Sequence, residues 1–311
     1  MNTFKKLGLT ALAGSLAVSS AVAGEMSVAG SAKIGVKNTS NTTGKSWTMG
    51  NQLTFSGSGE TDGGLNVSLS FVIDQGDDTA IGSGPFDSHS VSVGSDSMGT
   101  LVFSGEGGSS AQSALDTTAA GDIWDNGFGI ASPKASEAGN NSMLYTLPSL
   151  MDDLTIKASY SPSGAEKPDS AKAYSATYTG VEGLSVSYAT GESNTKGSEA
   201  DTTTLKGSYA IGSITVSASA TEHDLSTGND DEVDSYNIAY TVSDDLSISY
   251  GTETHSTAGS TTDEEVDAIT VSYTSGGMTI SAASVEATGV GHVAGSTAEH
   301  ERWKLSASFA F

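Results

Sequence analysis

The sequence contains 311 residues without a single cysteine, and its 37 acidic and 13 basic side chains give a formal net charge of −24. The absence of cysteine excludes disulfide bonds, a thiolate nucleophile and a cysteine-based zinc site. The shortage of lysine and arginine argues against nucleic acid as a partner, because phosphate binding depends on these side chains.

Residues 1–23 are typical of a bacterial secretory signal peptide. Two lysines precede a run of apolar and small residues, and Ala21 and Ala23 stand at positions −3 and −1 of a cleavage site before Gly24. We therefore predict cleavage near Ala23 and a mature chain, residues 24–311, that forms one domain. Loss of the two lysines leaves 11 basic residues against 37 acidic ones, a charge of −26. The alternative is a helical amino-terminal segment that stays in the mature protein.

No later stretch approaches the ~18 consecutive apolar residues of a transmembrane helix. Apolar and polar residues alternate instead, beginning with a predicted strand over residues 26–37. Val28 and Ile34 lie on one face of this strand, and Lys33 and Lys37 lie on the other. The following segments also have a period of two and lengths of ~10 residues, which is enough for a tilted strand to cross a bilayer.

A stretch over residues 105–139 interrupts the alternation. A loop of this length is uncommon and tends to be functional. Trp124 and Phe128 are candidates for attaching it to the rest of the protein, and a flexible external loop is the alternative. Its acidic residues are Glu106, Asp116, Asp122, Asp125 and Glu137.

An internal repeat follows, in which a tyrosine closes a strand just before a short turn. The intervals between these tyrosines are 33, 31, 31 and 33 residues, and a period in this range indicates a repeated supersecondary unit. The unit is an up-and-down hairpin with a short turn at one end and a longer polar loop at the other. The whole chain then has sixteen strands, seven short turns and eight longer loops. The repeated tyrosines are Tyr145, Tyr178, Tyr209, Tyr240 and Tyr273.

The last twelve residues, HERWKLSASFAF, form the final predicted strand. Trp303 and Phe311 belong to its apolar face, and Arg302 and Lys304 belong to its polar face. If the first and last strands pair, no sheet edge remains, and we expect Lys33 and Lys304 to lie at a similar height.

These patterns predict an all-β fold, a transmembrane antiparallel up-and-down β-barrel of 16 strands. A β-solenoid or a β-sandwich is the alternative, but the asymmetry between short and long connections favours a barrel whose rims face different compartments. The aromatic residues also fall into two bands, as expected at the two interfaces of a bilayer. The residues assigned to these girdles are Tyr145, Tyr178, Tyr209, Tyr240, Tyr273, Trp303 and Phe311.

The whole mature chain resembles the general diffusion porins of the Gram-negative outer membrane. The resemblance rests on the first strand EMSVAGSAKIGVK, the approach GSDSMGTLVFSGE to the long loop, the number of strands and the terminal Phe311. It implies a homotrimer, a third loop folded into each lumen and a terminal aromatic that the barrel-insertion machinery reads. It also implies contact with outer-membrane lipid and lipopolysaccharide. Arg302 is the single arginine, whereas the pore wall of the family usually carries an arginine cluster.

The polar faces carry the expected chemistry of a pore. Their basic residues would line the water-filled lumen, and solvation of a polar face is the alternative role. If the third loop folds inward, its acidic residues would face Lys33, Lys37, Arg302 and Lys304 across the narrowest gap and produce a transverse field. Acidic residues in the outer loops would attract cations, so we predict passive diffusion of small hydrophilic solutes and ions with a modest cation preference. The basic wall residues are Lys33, Lys37, Lys157, Lys206, Arg302 and Lys304.

No enzyme motif is present, and we expect neither catalysis nor a resident cofactor. The alternative function is a surface-exposed structural or adhesive outer-membrane protein without a pore. Three acidic clusters could bind calcium through oxygen ligands, although none has the spacing of an EF-hand and solvated loops are the alternative. These clusters are Asp74-Asp77-Asp78, Asp230-Asp231-Glu232-Asp234 and Asp263-Glu264-Glu265.

Overall fold

The structure is a computed structural model, and it describes residues 24–40, 44–74, 86–124, 127–136, 140–163, 170–194, 199–293 and 300–311. The predicted signal peptide, residues 1–23, lies outside the described residues. So do Asp125 and Glu137 of the long loop, and Asp77 and Asp78 of the first acidic cluster.

The chain folds into sixteen antiparallel strands, as the period-two pattern predicts. Each strand pairs with its sequence neighbours, and the last strand pairs with the first, which closes the barrel. No helix in the described ranges is long and apolar enough to span a membrane. The strands are β1 Glu25–Thr39, β2 Lys45–Glu60, β3 Asn66–Asp74, β4 Phe86–Ser95, β5 Gly99–Glu106, β6 Ser142–Thr146, β7 Leu154–Ser161, β8 Ala171–Val181, β9 Leu184–Ser193, β10 Ala200–Ile211, β11 Ile214–Leu225, β12 Asp231–Ser243, β13 Leu246–Thr257, β14 Glu264–Ser275, β15 Met278–Thr288 and β16 His300–Ala310.

Short and long connections alternate, so the seven turns form one rim and the eight loops form the other. The turns between β8 and β9, β10 and β11, β12 and β13, and β14 and β15 have only two residues each. At the opposite rim, the longest connection joins β5 to β6 and covers residues 107–141. These bounds differ from the predicted 105–139, because β5 continues past an irregularity beside Gly105 and ends at Glu106, which pairs with His89.

Each strand has an apolar face and a polar face, and large apolar side chains are exposed rather than packed into a core. Tyr174 is 54% exposed and Leu205 is 53% exposed. The buried side chains are mostly small and lie on the polar face, including Ala173, Thr202 and Thr204. Apolar residues exposed around the whole sheet are typical of a barrel surrounded by lipid.

The register between β1 and β16 corrects one expectation from the sequence. Lys37, not Lys33, lies directly opposite Lys304, while Lys33 lies opposite Ser308. Lys33 is therefore four residues, or ~13 Å along the strand, closer to the turn rim. Counting from the chain ends did not show that β1 extends beyond the pairing with β16 at that rim.

Phe311 completes the closure of the barrel at its turn rim. Its backbone N–H donates to the carbonyl of Gly30 at 3.0 Å, and its carbonyl accepts from the N–H of Gly30 at 2.7 Å. The aromatic ring lies over Gly30, where an added Cβ would come within 2.3 Å of the ring. A glycine at this position thus makes room for the terminal ring on the apolar face.

We predict that Gly30→Ala destabilises the barrel, because the new methyl group displaces the Phe311 ring. The expected loss is about 1 kcal/mol, or ~2–4 °C in the unfolding temperature. The unfolding temperature is measured by the heat-dependent change in electrophoretic mobility of the detergent-solubilised barrel. Gly57→Ala is the matched control, since a Cβ there meets Leu69 at an ordinary 3.5 Å. Equal unfolding temperatures for the two variants would contradict this role of Gly30.

Candidate pore and its third loop

The segment over residues 107–141 is called the third loop below, and its described residues lie against the polar face of the strands. It begins with a turn in which the N–H of Ala114 donates to the carbonyl of Ser110 at 2.9 Å. The N–H of Ala111 donates to the hydroxyl of Ser159 on β7 at 2.8 Å. The loop therefore leaves β5 and attaches first to a strand two positions away.

Gln112 ties both ends of the third loop to β10. Its side chain is fully buried. The amide nitrogen donates to the hydroxyl of Thr204 at 2.9 Å, and the amide oxygen accepts from the N–H of Ser136 at 2.7 Å. One side chain thus fixes the outgoing and the returning part of the loop at the same place on the wall.

The middle of the third loop is held through its backbone. The carbonyl of Thr117 accepts from the hydroxyls of Ser219 and Thr221 on β11, at 3.1 and 3.2 Å. The buried hydroxyl of Ser235 on β12 accepts from the N–H groups of Ala119 and Ala120, at 3.0 and 2.9 Å. These contacts involve backbone groups of the loop, so they do not depend on which side chains the loop carries.

Glu253 on β13 provides the next attachment. Its carboxylate is fully buried, accepts from the N–H of Trp124 at 3.2 Å and accepts from the hydroxyl of Ser235 at 3.4 Å. Nε2 of His255 lies 3.5 Å from the same carboxylate. A buried carboxylate is costly unless donors surround it, and the third loop supplies one of these donors.

Apolar contacts complete the attachment, as the sequence predicts for Trp124 and Phe128. Both side chains pack against a small buried cluster formed by the third loop and by apolar residues of β14 and β15, which lie on the same side of these strands as Ser272 and Ser281. The ring of Phe128 also lies 5.5 Å from the ring of His300 on β16. The members of the cluster are Ile123, Ile130, Val266, Ala268, Val285 and Ala287.

Among the predicted basic wall residues, Lys206 contacts the third loop directly. Its ammonium group lies 3.2 Å from the carboxylate of Asp116 and donates to the carbonyls of Asp116 and Thr118, at 3.2 and 2.8 Å. Lys206 and Asp116 are therefore partners on one side of the barrel.

The other predicted acidic residues have different surroundings. Asp122 is exposed and has a left-handed backbone (φ 51°), and its N–H donates to the hydroxyl of Thr118 at 3.2 Å. Glu106 belongs to β5 rather than to the loop. Of the five predicted acidic residues, the described part of the chain thus places Asp116 and Asp122 on the third loop itself.

The remaining basic residues lie on the polar faces of β1, β7 and β16. Lys33 is exposed and Lys37 is half-buried, and Lys37 faces Lys304 across the closing pair of strands. Arg302 and Lys304 alternate with the exposed Trp303, so they share the face opposite the apolar one. On β7, Lys157 lies between Thr146 and Ser175.

The repeated tyrosines form a band close to the turn rim. Tyr178, Tyr209, Tyr240 and Tyr273 each pair with the first residue of the preceding strand, and all four are exposed. The hydroxyl of Tyr145 donates to the carbonyl of Met98 in a turn, at 2.6 Å. Trp303 on β16 lies farther from the turn rim, and the distance from the ammonium group of Lys45 to the centre of its ring is 5.6 Å. Two heights of aromatic residues are therefore present, and their role as interfacial girdles stays a prediction.

Calcium binding to the acidic clusters also stays a prediction. The described residues contain no group of three or more histidine and acidic side chains arranged to hold a metal ion. Glu264 uses one carboxylate oxygen to accept from the N–H of Gly291 at 2.7 Å.

Comparison with known proteins decides the family. The family model of the Gram-negative porins matches residues 8–311. The chain belongs to this family. A porin with a closed sixteen-stranded barrel is an outer-membrane protein, and family and fold together favour a channel over an enzyme. No curated protein matches the sequence.

Solved porin structures share the fold at low sequence identity. A loop L8 deletion mutant of OmpT, an outer membrane protein of Vibrio cholerae, is 16% identical with a TM-score of 0.72, over 93% of this chain and 100% of that chain. The trimer form of OmpT is 16% identical with a TM-score of 0.70, and the match also covers 93% of this chain and 100% of that chain. An anion-selective porin from Comamonas acidovorans is 14% identical with a TM-score of 0.68, again over 93% and 100%. At these identities the likeness concerns the fold alone.

We predict that Glu253→Ala loosens the third loop, because the N–H of Trp124 and the hydroxyl of Ser235 lose their acceptor. An unsatisfied buried donor costs about 1–3 kcal/mol, so amide exchange over residues 117–124 should accelerate by roughly 5- to 150-fold. Glu253→Gln keeps an acceptor oxygen and should show a smaller effect. Glu286→Ala, at an exposed position on β15, is the control. Unchanged exchange in Glu253→Ala would show that this carboxylate does not hold the loop.

Proposed function

We propose that this porin is a water-filled pore for the passive diffusion of small hydrophilic solutes and ions, narrowed by a third loop that runs inside the barrel. The observation that carries the proposal is the path of the loop. It contacts Ser159 on β7 near its start and His300 on β16 farther along, always on the polar face.

The length of this path supports the interior course of the loop. Nine strand-to-strand steps lead from β7 to β16. A path across these steps is ~43 Å long at the strand backbones, and it is ~55 Å long for a chain that lies outside a barrel of ~16 Å radius. Only 17 residue steps separate Ala111 from Phe128, at most ~60 Å when fully extended. The loop is turned near Ser110 and has left-handed residues at Gly121 and Asp122. These turns shorten the reach of the loop, which supports the shorter path along the inner wall.

With the loop inside, the polar face is the wall of the pore. The loop contacts the wall from β7 round to β15 and reaches His300 at the start of β16, so the open lumen lies beside β1 to β5. Lys37 then lies beside the open part of the lumen, while the pairing of Lys206 with Asp116 reduces the contribution of both to the field. Because acidic residues outnumber basic ones in the long loops, we infer a modest preference for cations.

The assembly and its membrane partners follow the family. We propose cleavage of the signal peptide near Ala23, insertion guided by Phe311 and a homotrimer surrounded by outer-membrane lipid and lipopolysaccharide. The solved trimer form of OmpT supports the oligomeric state through its fold. Passive diffusion requires no catalysis, so we propose that the protein is not an enzyme.

The decisive experiment is conductance across a planar lipid bilayer. Purified and folded protein should insert with stepwise increases in current, three equal steps for each trimer. The heat-dependent change in electrophoretic mobility verifies folding independently. A folded barrel without conductance would overturn the pore and favour a structural or adhesive outer-membrane protein.

We predict that charge reversal of Lys37 and Lys304 raises the ratio of cation to anion permeability severalfold, because both residues lie on the polar face of the closing pair of strands. The measurement is the reversal potential of Lys37→Glu/Lys304→Glu in a potassium chloride gradient. Lys45→Glu is the matched control, since Lys45 lies beside Trp303 on the apolar face. Equal reversal potentials for the wild type and the double variant would show that the pair does not line the narrow part of the pore.

A further inference from the structure

We propose that the open wall of the pore contains a binding site for small polyhydroxylated solutes that carry no negative charge. The site is a recess of about 740 Å³ close to the turn rim, formed by β1 to β6. This volume falls within the ~300–1,000 Å³ that is usual for small-molecule sites. The inference rests on the proposed pore, because solutes reach the recess through the lumen.

The recess is lined by hydroxyl groups that stand side by side across the strands. Ser58 pairs with Ser68, and Ser68 pairs with Ser92, with 2.5 Å between the hydroxyl oxygens of Ser68 and Ser92. One rung closer to the rim, Thr100 pairs with Thr146. A hydroxyl both donates and accepts, so these rows match solutes whose own hydroxyls also do both.

A glycine keeps one of these hydroxyls accessible. Gly94 lies opposite Thr100, and a Cβ at Gly94 would come within 2.7 Å of the Thr100 hydroxyl oxygen. Without a side chain at residue 94, the hydroxyl of Thr100 faces the recess. Asn66, which pairs with Gly94, adds an amide with two donors and an acceptor.

The charge of the recess decides which solutes it accepts. Glu25 and Asp96 are exposed in its lining, and none of the described lining residues is lysine, arginine or histidine. Carboxylates attract ammonium groups and repel carboxylates, so an amino sugar should bind better than a neutral sugar, and a sugar acid should be rejected.

The opposite wall has comparable hydroxyls, but the third loop already uses them. Thr204, Ser219, Thr221 and Ser235 all bond to loop groups. In the described structure the third loop makes no hydrogen bond to the recess hydroxyls of Ser58, Ser68, Ser92 and Thr100. A further row of serines runs parallel to the recess row across β1 to β5, two residues farther from the turn rim. Its paired members are Ser27, Ser56, Ser70, Ser90 and Ser104.

Solute flux into liposomes that contain the folded protein tests the proposal. The probes are radiolabelled glucosamine, glucose and gluconate, which have similar size and different charge. We expect the flux of glucosamine and, at higher concentration, of glucose to saturate, whereas gluconate flux stays low and linear. In Ser68→Ala/Ser92→Ala/Thr100→Ala, saturation should disappear and glucosamine flux at low concentration should fall severalfold.

The matched control is Ser272→Ala/Ser281→Ala. These serines form a similar pair on the polar faces of β14 and β15, with 3.5 Å between their hydroxyl oxygens. Linear flux of all three probes in the wild type, or equal losses in the two sets of variants, would overturn the site. Conductance in potassium chloride, measured on the same preparations, separates this result from failure of the pore itself, which would abolish the current.

Discussion

The structure depends on the pairing of β1 with β16. Lipid offers no hydrogen bonds, so every backbone N–H and C=O group of a membrane-spanning sheet must find a partner within the protein. An open sheet of fifteen or sixteen strands would leave two edges unpaired, and closure removes both. Closure of the wall explains three other features: the apolar outer face, the polar inner face and the separation of turns from loops.

Much of this fold was predictable from the sequence, because alternate residues of a strand lie on opposite faces of the sheet. Alternation around Val28, Ile34 and Lys37 identified the first strand, and the spacing of the repeated tyrosines identified the hairpins. The relative height of β1 and β16 was not predictable, since their pairing joins the two ends of the chain and no turn fixes its register. For this reason the sequence predicts Lys33 at the height of Lys304, whereas Lys37 lies there.

The attachment of the third loop was only partly predictable. Trp124 and Phe128 stood out as apolar residues in a polar stretch, and they do pack against the wall. The contacts of Glu253 and Ser235 with the loop backbone were not predictable, because alternation within a strand carries no information about a loop that packs against it. The pairing of Lys206 with Asp116 was not predictable, because the sequence does not show which strand a long loop meets.

In the proposed pore, the attachment through backbone groups separates the shape of the constriction from its charge. Ser235 and Thr221 hold peptide groups of the loop, which are the same for every amino acid except proline. Substitutions at exposed loop positions such as Asp122 therefore alter the charge that a solute meets and leave these bonds in place. New selectivities can arise on this scaffold through single replacements, without rebuilding the wall that supports them.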